Sequence, residues 1–218
     1  MSKRKENFKY YFSVEGDTEK WYLEWLCEQI RACDDAEFTA SVDVMITKNP
    51  VKRVKRLNNL RKIELWHLSD YESDDHQHST EFQNTMDNMR VAEKQGKSVK
   101  YNFGYSNLAF DLWIVLHKRA LNNSLSDRSK YLRYINEIFD EDFSGMSEYK
   151  EEENFKRCLK KLSLEDVKNA IHNAETIMEL NQQNYRPQEY KRFTYFRENP
   201  SLEIHTIIKK MLADCKVP

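Results

Sequence analysis

The chain is short of the residues that mark several protein classes. Only 4 glycines, 4 prolines and 4 cysteines occur among its 218 residues, which argues against collagen-like, low-complexity and disulfide-stapled proteins. The cysteines form no CxxC pair and no Cys/His zinc spacing, so we expect reduced thiols. No apolar run is long enough to cross a bilayer, and the first residues do not resemble a signal peptide. These absences predict a soluble, cytoplasmic protein with no membrane partner.

Net charge is also nearly absent. Lys plus Arg number 35 and Asp plus Glu number 36, although 33% of the residues are charged. The balance means that total charge does not predict a nucleic-acid partner, and any electrostatic argument must rest on local clusters. The length allows one generous domain with a real core.

Hydrophobic patterning predicts an α/β fold. Strands rich in aromatic and β-branched residues are predicted at residues 7–14, 37–47, 63–68 and 97–103. Helices are predicted at residues 17–31, from 50 onward, at 80–94 and at 108–119. Such alternation favours a mostly parallel four-stranded sheet between helices. From about residue 130 the pattern is helical, so we predict an α/β core over residues 1–125 and a helical extension over 126–218 that packs on it as one unit.

Helix starts are predicted from capping residues. Asp17 or Thr18 is expected to cap the first helix, and Pro50 suits the first turn of the second. Thr80 with Gln83 has the spacing of a capping box. Ser106 or Asn107 is expected to cap the helix that follows the fourth strand.

Acidic residues follow two of the predicted strands. In "SVEGDTEKW" the first strand ends at Glu15, and in "SDYESDD" a cluster containing Asp70, Glu72 and Asp74 follows the third. Because ligand sites form at the carboxyl ends of parallel strands, these acids are expected to converge. Crowded carboxylates repel one another and raise each other's pKa unless a cation neutralises them, and hard oxygen ligands suit Mg²⁺ or Mn²⁺. Metal-assisted phosphodiester cleavage or transfer is one interpretation, and solvated loop charges are the other.

Gly16 directly follows the acid of the first strand. A glycine there permits a tight turn between strand and helix. With a metal and a phosphate bound beside Glu15, its small size would also keep space open for them.

The stretch "YSNLAFDLWIVLHKR" holds further polar candidates. Asp111 falls in the first turn of its predicted helix, where an acid favours the helix dipole. By physical chemistry alone, His117 is more often a hydrogen-bonded helix histidine than a catalytic residue.

Two basic stretches suit a nucleic-acid backbone. "KNPVKRVKRLNNLRK" carries seven basic residues and no acid, and as a helix it would bury Val51, Val54 and Leu57. "NYRPQEYKRFTYFREN" mixes basic and aromatic residues, as stacking on single strands requires. A solvated helix face and aromatics packed across the sheet are the respective alternatives. The candidate phosphate contacts are Lys48, Lys52, Arg53, Lys55, Arg56, Arg186, Lys191 and Arg192.

Four stretches in order, "VEGDTEKWYLEWL", the Asp-x-acid after a strand, "YSNLAFDLWIVLH" and "NPSLEIHTII", carry a family resemblance. Together they resemble the RloB family, also met as the second protein of the AbiL abortive-infection pair, a branch of the Toprim superfamily. The resemblance implies a Toprim-like Rossmannoid fold and a metal-dependent nuclease of bacterial phage defence. It also implies an ABC-type or OLD-like ATPase partner.

The resemblance assigns roles to particular residues. Glu15 matches the Toprim glutamate, a general acid or base that also touches metal. Asp70 and Glu72 match the metal-binding D-x-D pair, with Glu in place of the second Asp, so Asp74 is an alternative ligand. Asp111 stands where the family has Glu, and Leu108-Ala109 replaces Pro-Cys. The candidates of second rank are Gly16, Ser106, Asn107, Asp111 and His117.

The predicted function is therefore metal-dependent endonuclease cleavage of DNA or RNA, with Glu15, Asp70 and Glu72 catalytic. Two alternatives remain open at this point. The chain is a non-cleaving nucleic-acid or nucleotide sensor that regulates a partner ATPase, or it transfers phosphoryl groups on a small nucleotide. Dimerisation is compatible with each.

Overall fold

A computed structural model describes residues 5–58, 61–73 and 75–218. The elements found there, in chain order, are β1 (Asn7–Val14), α1 (Asp17–Ala32), β2 (Thr39–Ile46), α2 (Pro50–Lys55), β3 (Ile63–Tyr71), α3 (His76–Glu93), β4 (Val99–Asn107), α4 (Asp111–Leu116), α5 (Tyr131–Phe139), α6 (Met146–Tyr149), α7 (Glu152–Leu159), α8 (Leu164–Asn184), β5 (Gln188–Tyr190), β6 (Phe193–Tyr195) and α9 (Ile204–Asp214). No helix in these ranges combines the length and apolarity needed to span a bilayer.

The main sheet has the strand order β2-β1-β3-β4, and each neighbouring pair is parallel. This confirms the predicted α/β class and is consistent with a Rossmann-like Toprim fold. From β1 the chain first adds β2 on one side and then β3 on the other. The order therefore reverses between β1 and β3, and their carboxyl ends flank the crevice where α/β sheets bind ligands.

Alternate side chains of the sheet face two different cores. Phe12, Val14 and Leu68 pack with α1, α4 and the helices of the second half. Leu65 and Phe103 point to the other face, where α2, α3 and the β5–β6 hairpin cover them. The first core is continuous across residue 125, because Ile135, Phe155, Ile171 and Ile208 lie in the same cluster as Phe12. The domain boundary itself stays a prediction.

The strands β3 and β4 run further than the sequence indicated, and several predicted helix caps lie elsewhere in the structure. Gly16, not Asp17 or Thr18, is the N-cap of α1. The helix α3 begins at His76 after the N-cap Asp75, whose Oδ1 accepts the His78 N–H at 3.0 Å. The predicted cap at Thr80 is wrong, since that residue lies inside the helix. Ser106 and Asn107 end β4 instead of capping α4.

Gly104 allows a close approach that the sequence alone did not reveal. A Cβ at this position of β4 would lie 2.8 Å from Leu68 Cδ2 and 3.5 Å from Ile204 Cα. The missing side chain therefore lets the start of α9 lie directly on the sheet, within reach of the first core.

Candidate functional site

A small polar cleft lies where β1 and β3 end. Their register pairs Ser13 with His67, so Glu15 and Ser69 lie opposite one another just beyond it. Ser69 Oγ donates a hydrogen bond to Glu15 Oε1 at 2.5 Å. Lys48 Nζ lies 3.2 Å from the other oxygen of that carboxylate. We call this the outer cleft; its lining includes Glu15, Lys48, Ser69, Asp70, Glu72, His78 and Glu81.

The outer cleft has a volume of about 40 Å³. That space fits an ion or a few waters, since about 10–15 Å³ of such volume is enough to hold one water. A nucleotide does not fit inside, so a larger substrate would lie across the mouth. Glu15 raises the pKa of the Lys48 ammonium, which keeps a positive charge beside this carboxylate.

A second set of charged groups lies on the other face of the sheet. Asp70 alternates with Ser69 and so points with Trp66 and Leu68 toward α1 and α4. There Glu19 and Asp111, from the first turns of those helices, and Lys150, just after α6, surround it. We call Glu19, Asp70, Asp111 and Lys150 the inner cluster.

The contacts of the inner cluster are few. Lys150 Nζ lies 2.9 Å from Asp111 Oδ2, and the Asp111 side chain is 0% exposed. Thr18 Oγ1 donates to Glu19 Oε2 at 2.8 Å. Neither oxygen of Asp111 has a partner with hydrogen-bond geometry among the described residues. The ion pair with Lys150 therefore leaves Asp111 only partly compensated, although buried polar groups normally find partners.

Carboxylate protonation reflects this crowding. Burial raises the pKa of Asp70 well above its ordinary value, and the nearby Glu19 and Glu15 carboxylates raise it further. Burial likewise raises the pKa of Glu19. For Lys150, burial lowers the pKa, but Asp111, Asp70 and Glu19 outweigh it and the net change is upward. Three carboxylates thus share one ammonium in this cluster, and additional positive charge would stabilise it.

The crowded acids have the right chemistry for a hard divalent cation, because carboxylate oxygens are the ligands that Mg²⁺ and Mn²⁺ prefer. Asp70 lies between the two sets and can contribute to either. A finished centre is not seen: across residues 5–58, 61–73 and 75–218, no three His, Cys, Asp or Glu side chains lie in a metal-binding arrangement. The donors fit by type and charge, and Asp111 has buried oxygens to offer.

Comparison with known families now decides the relationship. A family model described as RloB-like protein matches residues 10–211. The chain belongs to the RloB-like family. No curated protein and no solved structure gives a match. The resemblance predicted from the four sequence stretches is thereby confirmed at the level of the family.

The Asp-x-Glu pair of this RloB-like chain is divided by the fold. Asp70 reaches the inner cluster, whereas Glu72 Oε2 lies 3.4 Å from His78 Nε2 and 3.8 Å from Arg128 Nη1. Glu72 still lines the outer cleft. Asp74, the alternative ligand, lies outside the described residues. Asp75, the last acid of the cluster, is accounted for as a helix cap.

Gly16 has a reason to be small that the sequence did not indicate, and the predicted space for metal and phosphate stays a prediction. Its backbone is extended, with φ −138° and ψ 178°, so no unusual turn requires glycine. A Cβ there would lie 3.1 Å from Glu19 Oε2. Gly16 therefore leaves room for the Glu19 carboxylate in the observed geometry.

The "NPS" stretch near the end of the chain is tied to β4 by Asn107. Its Nδ2 donates to the carbonyls of Arg197 and Glu198 at 2.8 and 3.1 Å, and its N–H donates to the Ser201 carbonyl at 2.8 Å. Ser106 forms an isolated bridge with Leu202. Ser106 and Asn107 therefore hold the end of β4 against residues 197–202. We interpret both as residues that shape the site.

His117 is a core residue. Its Nδ1 lies 2.9 Å from the Trp113 carbonyl and its Nε2 lies 3.1 Å from Tyr22 Oη. Burial lowers its pKa to about 4. This position matches the predicted hydrogen-bonded helix histidine, because both ring nitrogens have partners within the core.

The basic candidates separate into buried, paired and exposed residues. Arg53 is buried and its Nη2 lies 2.6 Å from Asp43 Oδ1, so its predicted place on a surface stripe is wrong. Lys191 pairs with Asp87 and Arg192 with Glu93. The aromatic residues Phe193, Tyr195 and Phe196 are buried, as the packing alternative predicted. The exposed candidates are Lys48, Lys52, Lys55, Arg56 and Arg186.

Sequence reasoning missed two members of the inner cluster. Glu19 stands four residues after Glu15, on the first turn of α1, and that spacing offered a signal. Lys150 is a single lysine in an acidic segment, far in sequence from Asp70 and Asp111. Only the tertiary fold brings it to the sheet.

Proposed function

We propose that this RloB-like chain is a divalent-metal-dependent nuclease that cleaves phosphodiester bonds in DNA or RNA. One observation carries the proposal. Asp70 lies at the crevice between β1 and β3 among other carboxylates, and burial with this crowding raises its pKa. A perturbed acid in such a crevice is a candidate functional group, and a hard cation would relieve the repulsion.

The chain's own residues have distinct roles in this proposal. Glu15 and Asp70 would hold Mg²⁺ or Mn²⁺, with Glu72 at the mouth of the outer cleft. When bound, the ion would supply Lewis-acid stabilisation of charge on a phosphoryl oxygen. Ser69 and Lys48 orient the Glu15 carboxylate, which makes Glu15 the candidate general acid or base. Lys48, 68% exposed, can also contact a phosphate.

The size of the outer cleft would place a nucleotide substrate across its mouth, and the basic residues nearby favour a polymer. Its 40 Å³ volume is too small for a base or a sugar, so the scissile phosphate would approach from outside. Lys52, Lys55 and Arg56 are exposed in and just after α2, a few residues from Lys48. These charges suit the continuing backbone of a nucleic acid.

The direct test uses mixed DNA and RNA with Mn²⁺ and compares the wild-type chain with Asp70→Ala and Glu15→Gln. We expect cleavage by the wild type and its loss in both variants. Circular dichroism establishes that each variant is folded. Equal cleavage by wild type and Asp70→Ala would trace the activity to a contaminant and remove the proposed site.

A non-cleaving nucleic-acid sensor is the second candidate. It is favoured by the absence, in the described residues, of three side chains already arranged for metal, and by Lys150, which already supplies a cation. Nucleic-acid binding that is independent of Mn²⁺, without cleavage, would support the sensor.

On the family resemblance we also propose a role in bacterial phage defence beside an ABC-type or OLD-like ATPase. Tagged chain purified from its native host is expected to retain such an ATPase. Light scattering of the isolated chain would show whether it dimerises. Purification without any ATPase, from cells that express one, would argue against the partnership.

A further inference from the structure

Lys150 brings positive charge into the inner cluster from a segment outside the sheet. It is the C-cap of the four-residue helix α6, whereas Asp70 is the penultimate residue of β3 and Asp111 begins α4. Its Nζ lies 2.9 Å from Asp111 Oδ2. The same ammonium interacts with Asp70 and Glu19, whose charges raise its pKa. The ammonium thus occupies the place where a cation is needed.

The two partners of this ion pair differ in their access to water. The Lys150 side chain is 36% exposed, and that of Asp111 is 0% exposed. Lysine has a long flexible stem and a strongly hydrated head, so it can withdraw into solvent. Asp111 is fixed at the start of a buried helix and cannot follow. The inner cluster therefore has a removable cation and an immobile anion.

Buried polar atoms beside Asp111 indicate unused capacity for a ligand. The hydroxyls of Tyr131 and Tyr149 are buried and lack hydrogen-bond partners within the described part of the chain, and so does Asp111 Oδ1, whereas Asp111 Oδ2 has its ion pair with Lys150. Burial raises the pKa of each tyrosine, and Asp111 raises it further. Unpartnered oxygens around an undercompensated carboxylate favour a cation with more charge than one ammonium.

We propose that the inner cluster is a divalent-cation site in which Lys150 competes with the metal ion for Asp111 and Asp70. The inference rests on the proposed function only in its choice of Mg²⁺ or Mn²⁺ as the ligand. Without the ion, the Lys150 ammonium supplies the positive charge beside Asp111, Asp70 and Glu19. Entry of the ion moves the ammonium toward solvent, so Lys150 weakens metal binding and delays loading of the site.

The test is calorimetric titration of Mn²⁺ into the whole chain without nucleic acid. Lys150→Met keeps the length of the side chain and removes its charge. We expect this variant to bind Mn²⁺ at least about 10-fold more tightly, or to bind one more ion per chain. Lys150→Arg, which keeps the charge, should resemble the wild type. Lys156→Met, at an exposed lysine paired with Glu152 on α7, is the matched control and should change nothing.

A double variant identifies the ligand. Adding Asp111→Asn to Lys150→Met should abolish the gain in Mn²⁺ affinity. The melting temperature gives the same comparison by a second route, because ligand binding to the folded state stabilises it. Mn²⁺ should raise the melting temperature of Lys150→Met more than that of the wild type or the double variant.

A measurement on the wild type covers the case in which Lys150→Met does not fold. An amine-reactive label followed by peptide mass spectrometry reports exposure of Lys150. Mn²⁺ should increase its labelling and leave that of Lys156 unchanged. Equal labelling of Lys150 with and without Mn²⁺ would overturn the competition.

The results separate this inference from the nuclease proposal. Tighter Mn²⁺ binding by Lys150→Met together with no cleavage by the wild type would support the cation site and reject the nuclease. Cleavage by the wild type, together with identical Mn²⁺ binding by the wild type and Lys150→Met, would support the nuclease and reject the competition by Lys150. Absence of Mn²⁺ binding in both proteins would overturn the inference.

Discussion

The two sides of Asp70 compensate charge in opposite ways. In the outer cleft, Glu15 pairs with Lys48, and Glu72 faces His78 and Arg128; Lys48 and Arg128 are open to solvent, Glu72 is partly exposed, and Glu15 is 15% exposed. In the inner cluster, Glu19, Asp70 and Asp111 are crowded around Lys150. Exposed pairs are weak and exchange partners with salt or substrate, whereas buried, undercompensated acids retain a demand for a cation. The outer side is suited to contact substrate, and the inner side to fix positive charge.

The alternation of β3 produces this division. Asp70 and its neighbour Ser69 face opposite sides of the sheet, because successive strand residues do so. Asp70 thus belongs to the face that α1 and α4 cover, and the next residue, Tyr71, is buried on the other face. Glu72, one residue further, is turned to the surface. A paired D-x-E reading of the sequence cannot distinguish these environments.

The sharpest test of this difference replaces each acid by its amide. Asp70→Asn is expected to reduce single-turnover cleavage by roughly 10³-fold, because it removes the carboxylate central to both sides. Glu72→Gln is expected to reduce it by about 10-fold, as for a residue at the periphery of a metal site. The rates are compared at saturating Mn²⁺ after circular dichroism shows both variants folded. Similar losses would mean that the two acids act as one ligand pair.

The fold was predictable where side-chain periodicity is strong. The strand β1 and the buried stripe of α1, including Tyr22 and Trp25, follow directly from aromatic and apolar spacing. The hairpin β5–β6 and the short helix α6 were not predicted, since three or four residues give no period. The ends of β3 and β4 were set too early because polar residues there are satisfied by tertiary partners, as Asn107 is by residues 197–201.

The candidate site was predictable in part. Glu15 and Asp70 follow from the rule that parallel strands end at one crevice, and the structure brings both there. Lys150 could not be predicted, because a lone lysine between acids carries no pattern until α6 is placed against α4. Arg53 shows the converse: its sequence context is a basic run, but tertiary pairing with Asp43 buries it.

His117 is one of three buried histidines among the described residues, with His67 and His205, and the pH dependence of stability tests whether the core keeps it neutral. Burial lowers the pKa of His117 from 6.5 to about 4, so the unfolded chain binds more protons between these values. Stability from this residue is present above pH 6.5 and is lost as pH falls toward 4, by about 3 kcal/mol at most. Urea unfolding from pH 7 to 4 measures it. In His117→Gln the pH dependence should be shallower by that amount, and in His172→Gln, at an exposed histidine, unchanged.

The salt dependence of binding affinity tests whether nucleic acid contacts the basic residues near the outer cleft. Replacing Lys52, Lys55 and Arg56 together by Gln is expected to weaken DNA or RNA binding about 10-fold at low salt. The slope of log affinity against log salt should become shallower by up to about 3, near one unit for each lost phosphate contact. Lys191→Gln is the matched change at a lysine already paired with Asp87 and should alter the slope little. An unchanged slope in the triple variant would place the nucleic acid elsewhere.

The smallest expected effect concerns Glu19, whose burial opposes its own charge. Glu19→Gln keeps the shape and the acceptor for Thr18 Oγ1 while removing one of three crowded carboxylates. Because burial raises the pKa of Glu19, the charged form is disfavoured in the fold, and the amide should stabilise the metal-free protein at pH 8 by roughly 1 kcal/mol. Glu81→Gln, at an exposed acid lining the outer cleft, should stay within about 0.5 kcal/mol of wild type. Urea titrations without divalent ions measure both, and equal shifts would remove the distinction between the buried and exposed sides.

If the inner cluster takes up Mn²⁺, saturating ion should reverse the order and leave Glu19→Gln less stable than wild type, since the variant lacks a charged oxygen donor.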